Sequence, residues 1–157
     1  MPLTPHEFRR ALSALAAGVC VVTVQDAAGR ATGMTATSVT SLSLEPPLLL
    51  VCVGRDAALH DTIVAAPSFG VVLLAAGQQE LAARFATRGQ QDFAGGEPAT
   101  PAGLPRIAGA LGTLDCRRQA VLPGGDHSIV VGVVEWADTA TAEPLLYFRS
   151  RYVGLRP

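Results

Sequence analysis

Short runs rich in valine and leucine recur along this chain, at residues 19–25, 48–53, 69–75, 110–121, 127–137 and 144–150. Each is closed off by turn residues or prolines, such as Asp26-Ala27-Ala28-Gly29, Glu45-Pro46-Pro47 and Pro123-Gly124-Gly125-Asp126. Runs this short between breakers read as strands rather than buried helices. Three helices are expected beside them. The first is announced by Thr4 as N-cap, Pro5 at the first helical position and Glu7 at the third. In it Phe8, Ala11, Leu12 and Leu15 form one apolar stripe, and Gly18 is a stop. Asp56 is a candidate cap for a short helix over residues 57–66, and residues 78–86 carry a third helix. Strands joined mostly by turns, without regular helical alternation, argue against a doubly wound parallel sheet. They argue for an antiparallel barrel with helical decoration.

No composition break divides the chain, so residues 1–157 are expected to form a single domain. Apolar residues make up 49%, which suits a globular core rather than a disordered chain. The formal charge of −1, without any basic block, removes the electrostatic footprint of nucleic-acid binding. Any phosphate must be held locally. Cys20, Cys52 and Cys116 are far apart with no C-x-x-C, so they read as buried structural thiols rather than a disulfide framework or zinc site. His6, His60 and His127 have no metal-ligand spacing, and no metal is expected. Neither a secretory signal nor a membrane-length apolar run is present, so a cytoplasmic location without membrane association is the expectation. The common nucleotide cradles G-x-G-x-x-G and G-x-x-x-x-G-K-[ST] are missing, as is the G-x-S-x-G elbow.

The chemistry must therefore lie in less common segments. Residues 35–44 read as a long extended stretch dense in threonine and serine. Alternation puts Thr35, Thr37, Val39 and Ser41 on one face and Ala36, Ser38, Thr40 and Leu42 on the other. Such a stretch is either an ordinary strand with good β propensity or a wall of neutral donors and acceptors suited to a planar ring and a polyol chain. Gly54-Arg55-Asp56-Ala57-Ala58-Leu59-His60 leaves a buried strand and enters a helix. It is either a capped helix with a solvated arginine or a phosphate cradle. Gly125-Asp126-His127 is either a polar hairpin tip or a histidine at a barrel rim. In 147–152 two arginines sit among aromatics, suited to a dinucleotide or to a partner subunit. A segment set rich in binding groups and poor in acid–base groups is what hydride transfer between cofactors requires.

Taken together, FRRALSALAAGVCVVTV (8–24), GMTATSVTSLSLEPPLLLVCV (33–53), RDAALHDTI (55–63), ELAARFA (80–86), GDHSIVVGVV (125–134) and PLLYFRSRY (144–152) resemble the flavin reductase-like, FMN-binding split-barrel family. The likeness is to the short flavin:NAD(P)H reductase components of two-component monooxygenases. It implies a mostly β fold, an antiparallel Greek-key split β-barrel with a few short helices. It also implies a homodimer that transfers hydride from NADH or NADPH to FMN or FAD and supplies reduced flavin to a flavin-dependent monooxygenase. Carried over by position, Thr35, Ala36, Thr37 and Ser38 match the strand along the flavin ring and ribityl chain, with Ser41 a further candidate. Cys52, Val53 and Gly54 match the strand end beside the flavin. Ala58, Leu59 and His60 match the loop near its phosphate, and Arg84 and Phe85 the helix that closes over it. His127, Arg151 and Tyr152 match positions near the nicotinamide. Ala58 stands where the family commonly has a serine, Gly54 where it often has a polar residue, Thr37 where it often has an Asn-like one, and Phe148 where it often has a histidine. Two other readings stay open: a flavin- or haem-binding barrel without reductase activity, acting as electron carrier or cofactor store, and a structural barrel without cofactor.

Overall fold

A computed structural model describes residues 2–95 and 97–155. In chain order the elements are α1 (Pro5–Leu12), β1 (Ala17–Gly18), β2 (Cys20–Gln25), β3 (Ala31–Ala36), β4 (Val39–Ser43), β5 (Leu48–Gly54) and α2 (His60–Ala65). They continue with β6 (Ser68–Leu73), α3 (Gln79–Ala86), β7 (Gly112–Gly124), β8 (His127–Thr139), β9 (Leu146–Phe148) and β10 (Arg151–Val153). Seven strands form one antiparallel sheet in the order β3-β2-β6-β7-β8-β5-β4, and β1, β9 and β10 form a small second sheet.

The order of the large sheet dictates its shape. β3 and β4 are its opposite edges, yet only Thr37 and Ser38 separate them in the chain. Extended chain reaches about 3.3–3.6 Å per residue, so two linking residues cannot cross a flat seven-stranded sheet. The sheet must curl until its edges meet at this point. There the Ser38 carbonyl accepts from Cys52 N–H at 3.0 Å, carrying the β4–β5 ladder on into the junction. β3 and β4 share no ladder. β5 then hands the chain through α2 to β6 on the far side, next to β2.

The continuous apolar runs have a physical reason. Along β2, Cys20, Val22 and Val24 point into the barrel, while Val19 and Val21 point the other way into a second core. β6 repeats this with Phe69 and Val71 inside and Val72 and Leu74 outside. A strand buried on both faces shows no polar alternation. The second core is capped by α3 through Ala82 and Phe85 and by the small sheet through Tyr147 and Tyr152.

Four sequence expectations change. The stretch 35–44 is not one strand: Thr37 and Ser38 break it, because the curl of the sheet turns the chain there. The two-face alternation therefore does not run through it. The second helix starts at His60, with Leu59 at its N-cap and no side-chain cap, so Asp56 does not initiate it. The run expected over 144–150 is divided, since Leu146–Phe148 forms β9 and the chain turns at Arg149 and Ser150 so that Arg151–Val153 pairs back with it. The first helix has its complete capping box, but it ends at Leu12, leaves Leu15 and Gly18 outside, and buries no residue.

Candidate functional site

β5 ends where three other segments arrive. Across the ladder, Gly54 opposes His127 and Cys52 opposes Ile129 on β8. From the other side the β3–β4 junction reaches Cys52: Ser38 Oγ donates to the Cys52 carbonyl at 2.7 Å. The loop 55–59 leaves directly from Gly54, anchored by Arg55 N–H donating to the Asp126 carbonyl at 2.9 Å. The serine/threonine junction, the strand end, the α2 loop and the histidine-tipped hairpin thus meet at one end of the barrel. β8 begins at His127 because Gly125 and Asp126 make the turn, with Gly125 at φ +69°.

Gly54 stands in the middle of this cluster without a side chain of its own. A Cβ at position 54 would lie 3.0 Å from Asp56 Oδ1 and 3.6 Å from His127 Nε2. The backbone N–H groups of Thr37, Ser38, Ala58 and Leu59 find no acceptor among the described residues. Thr37, Ser38 and Ala58 are also exposed. Unpaired amides are neutral donors, suited to the carbonyl edge of a flavin and to a phosphate. Arg88 reaches the loop, its Nη2 donating to the Asp56 carbonyl at 2.9 Å, and adds positive charge together with Arg55. These residues fit a flavin; no step of cofactor chemistry needs a titrating group among them.

Both histidines are oriented by carboxylates. His127 Nδ1 lies 2.7 Å from Asp126 Oδ1, so it carries a proton and donates it, leaving Nε2 toward Gly54. Asp126 is held below the ordinary carboxylate range, first by that hydrogen bond and the charge of His127, then also by Arg9 on α1. His60 Nδ1 donates to Asp61 Oδ1 at 2.8 Å, so its Nε2 accepts from Ser128 Oγ at 2.9 Å. Ser128 is buried at 6% exposure, and this bond fastens the start of α2 to β8 beside His127.

Not every expected residue reaches this end of the barrel. The Thr35 hydroxyl donates to the Ala82 carbonyl at 2.6 Å, clamping α3 onto β3. Ala36 and Val53 are buried, and Leu59 packs on the barrel core. Phe85 is fully buried in the second core, so its ring cannot face a ligand. Arg84 stacks 4.5 Å over that ring and donates through Nη2 to the Asp92 carbonyl at 3.0 Å. Its Nε is buried without a partner. Ser41 lies further along β4, at a half-open apolar cavity of about 460 Å³ with Val39, Leu48, Leu49 and Val71. Arg151 is exposed on β10. Tyr152 packs edge-on against Tyr147 at 5.3 Å and lines a separate depression with Ala76, Gly77 and Gln79. Burial, then the neighbouring Tyr147, pushes the Tyr152 phenol above its usual range.

Sequence reasoning missed Ser128, Arg88 and Arg9. Ser128 follows His127 directly, and its hydroxyl facing a strand interior was the available signal. Arg88 and Arg9 carry no local signal, because each acts on a segment distant in the chain.

An antiparallel split barrel with free backbone amides, Arg55 and an oriented His127 gathered at one end of β5 offers the donors that a planar cofactor with a phosphate needs. The chain belongs to the family described as the flavin reductase like domain, whose model matches residues 12–156. It is 43% identical over 150 residues to an NADH:riboflavin 5'-phosphate oxidoreductase of Streptomyces pristinaespiralis, covering 92% of this chain and 85% of that protein. It is 41% identical over 146 residues to the reductase component of 4-hydroxyphenylacetate 3-monooxygenase of Thermus thermophilus, covering 92% of this chain and 93% of that protein. Among solved structures it superposes on the Streptomyces globisporus NADH:FAD oxidoreductase SgcE6, solved with NAD and FAD fragments. The TM-score is 0.91 at 37% identity, covering 100% of this chain and 98% of that one.

Proposed function

We propose that this protein is a flavin reductase that oxidises NADH or NADPH, reduces FMN or FAD, and supplies the reduced flavin to a partner monooxygenase. The observation that carries the reading is the meeting of the Thr37–Ser38 junction, Gly54 and His127 at one end of β5. When bound, flavin supplies the chemistry by accepting hydride at N5 from the nicotinamide C4.

The chain's own part is binding and orientation. Thr37 and Ser38 offer amides to the flavin edge, with Cys52 and Gly54 beside the ring. Ala58, Leu59 and Arg55 hold its phosphate through N–H groups and charge, and Arg88, bonded to the Asp56 carbonyl, supports that loop. His127, kept in one tautomer by Asp126, presents Nε2 toward the nicotinamide. His60 and Ser128 keep α2 and β8 in register. No residue here takes a proton from a stable carbon, which accords with chemistry carried by the cofactors. Relatives named as reductase components of monooxygenases support the partner assignment.

A second copy of the chain is the proposed occupant of the apolar cavity beside β4. Its walls include Val39, Leu48, Leu49 and Leu73, and Leu42 and Leu44 stand exposed on the neighbouring edge. An apolar patch of this kind on a small protein marks an association surface. The 157 residues act as one domain, placed in the cytoplasm; no helix among the described residues is long and apolar enough to cross a membrane.

The test is NADH and NADPH consumption with and without added FMN or FAD. Turnover that requires added flavin is expected. Absence of turnover with every combination would remove the reading, and flavin that co-purifies and never exchanges would favour a carrier or store. Light scattering on the purified protein is expected to give twice the chain mass.

A further inference from the structure

Thr23 interrupts the valine run of β2 with a hydroxyl, and it heads a polar row across three strands. Thr23 opposes Gly70 on β6, and Gly70 opposes Asp115 on β7. Residues opposed across a ladder share a face, and neighbours along a strand alternate. Val22, Val24, Phe69, Val71 and Cys116 point into the barrel, so Thr23, Gly70 and Asp115 point outward.

This row is buried and incompletely bonded. Thr23 is fully buried and Asp115 is 3% exposed. Neither Thr23 Oγ1 nor Asp115 Oδ1 has a hydrogen-bond partner among the described residues. Buried polar atoms are almost always bonded, so two orphans on one row call for a shared partner. Gly70 indicates where it lies. A Cβ at position 70 would collide with the Thr23 hydroxyl, with Leu104 Cδ1 3.5 Å from the same point. The hydroxyl therefore leans over β6, the strand that separates it from Asp115. Adjacent strands are about 4.7–4.9 Å apart. Two O–H···O bonds of about 2.7–2.8 Å cover such a distance end to end, and one does not.

Loop 98–105 lies over the row. It is closed on itself, Thr100 N–H donating to the Leu104 carbonyl at 2.8 Å and Leu104 N–H to Thr100 Oγ1 at 3.2 Å. Leu104 is buried at 3% exposure but joins neither apolar core. Two polar bonds tie the loop to the sheet. Ala102 N–H donates to Asp115 Oδ2 at 3.1 Å, and Gln25 Nε2 to the Gly103 carbonyl at 2.8 Å. Asp115 thus holds the loop with one oxygen and keeps the other for the row.

We propose that a single internal water bridges Thr23 Oγ1 and Asp115 Oδ1, and that this bridge fixes the carboxylate that latches loop 98–105 onto the barrel. Two free oxygens suit a water, which takes two to four partners; a divalent metal ion needs about six.

The direct test is a crystal structure of the wild-type protein. A water within about 3 Å of both oxygens is expected. A direct bond between the two side chains, or a metal ion between them, overturns the site. In solution, magnetic relaxation dispersion of the solvent counts long-lived internal waters. Thr23→Val keeps the shape and removes the hydroxyl. It is expected to lose one such water, with amide exchange at Ala102 and Gly103 faster by about tenfold. Thr23→Ser keeps the hydroxyl and is expected to keep both properties. Gln25→Ala cuts the other tether and is expected to speed exchange with the water count unchanged. An unchanged water count in Thr23→Val, or wild-type exchange there, overturns the latch. An unfolding midpoint that rises with sodium or potassium chloride but not with choline chloride puts a cation at Asp115 and overturns the water.

Discussion

The two ends of β5 are held by two glycines for opposite reasons. Near the Leu48 end, Gly132 on β8 opposes Leu49, and a Cβ there would lie 2.7 Å from Phe69 Cζ and 2.8 Å from Cys116 Cβ. That glycine lets the barrel interior close around a phenyl ring. At the other end, Gly54 faces only the tips of Asp56 and His127. That glycine meets polar side-chain atoms instead of a packed phenyl ring. The same strand, with Leu49, Val51 and Val53 all pointing into the core, passes a phenyl ring packed against Gly132 near one end and polar side-chain atoms around Gly54 at the other. The lesson is that a missing side chain can be demanded by packing or by a ligand. The identity of the nearest atoms, rigid ring carbon or movable polar tip, tells which.

Substitutions can break this contrast. The largest effect is expected from Gly132→Val, which forces the barrel apart at Phe69. Overpacking of this kind costs about 1–3 kcal/mol or more, read from the denaturation midpoint. Next comes alkaline pH acting on the closed end. Burial pushes the Cys116 thiol up to about 12, with Asp115 and Glu135 adding to it, and burial alone pushes Cys20 up to about 11. Both folded values lie above the unfolded one, so the neutral thiols contribute stability that is whole below about pH 8.5 and is lost as pH rises toward 11–12. The slope approaches about 1.4 kcal/mol per pH unit for each thiol. Equilibrium unfolding of Cys20→Ala and Cys116→Ala between pH 8 and 10 is expected to show a shallower decline.

Ser128→Ala removes the hydroxyl that holds His60. It is expected to cost about 1 kcal/mol, and hydrogen exchange should show α2 loosened before the barrel. Gly54→Ala sharpens the comparison with Gly132: its stability should stay within about 0.5 kcal/mol of wild type while flavin binding weakens. The smallest global effect is expected from Thr4→Ala. It breaks the capping box, yet α1 buries nothing. Faster amide exchange confined to α1, with no change in the overall midpoint, is the expected result.

How far these features could be read from the chain depends on whether their cause was local. Valine runs and turn pairs such as Gly125-Asp126 are local, and the barrel strands follow from them. The N-terminal cap is local too, and Thr4, Pro5 and Glu7 appear as expected. The break at Thr37–Ser38 is not local. Hydroxyl residues suit strands on either side of it, and only the meeting of two sheet edges bends the chain there. Asp56 has good capping chemistry, but the chain after it turns back, Ala57 N–H donating to the Gly54 carbonyl and His60 N–H to the Ala57 carbonyl, before α2 begins. β10 was hidden because Arg149 and Ser150 make its turn without a glycine. In the candidate site, the convergence of 37–38, 54–60 and 127 was readable through the family likeness. The burial of Phe85 and the separation of Tyr152 from His127 were not, because both depend on where α3 and the small sheet dock.

The most direct measurement is a flavin fluorescence titration of wild type against Gly54→Val, with the unfolding midpoint of each protein recorded alongside. If the end of β5 is a flavin gap, wild type quenches FMN or FAD fluorescence to saturation. The variant then loses at least about tenfold in affinity while unfolding at nearly the same point. Equal affinity in two equally stable proteins would place the flavin elsewhere and contradict the account.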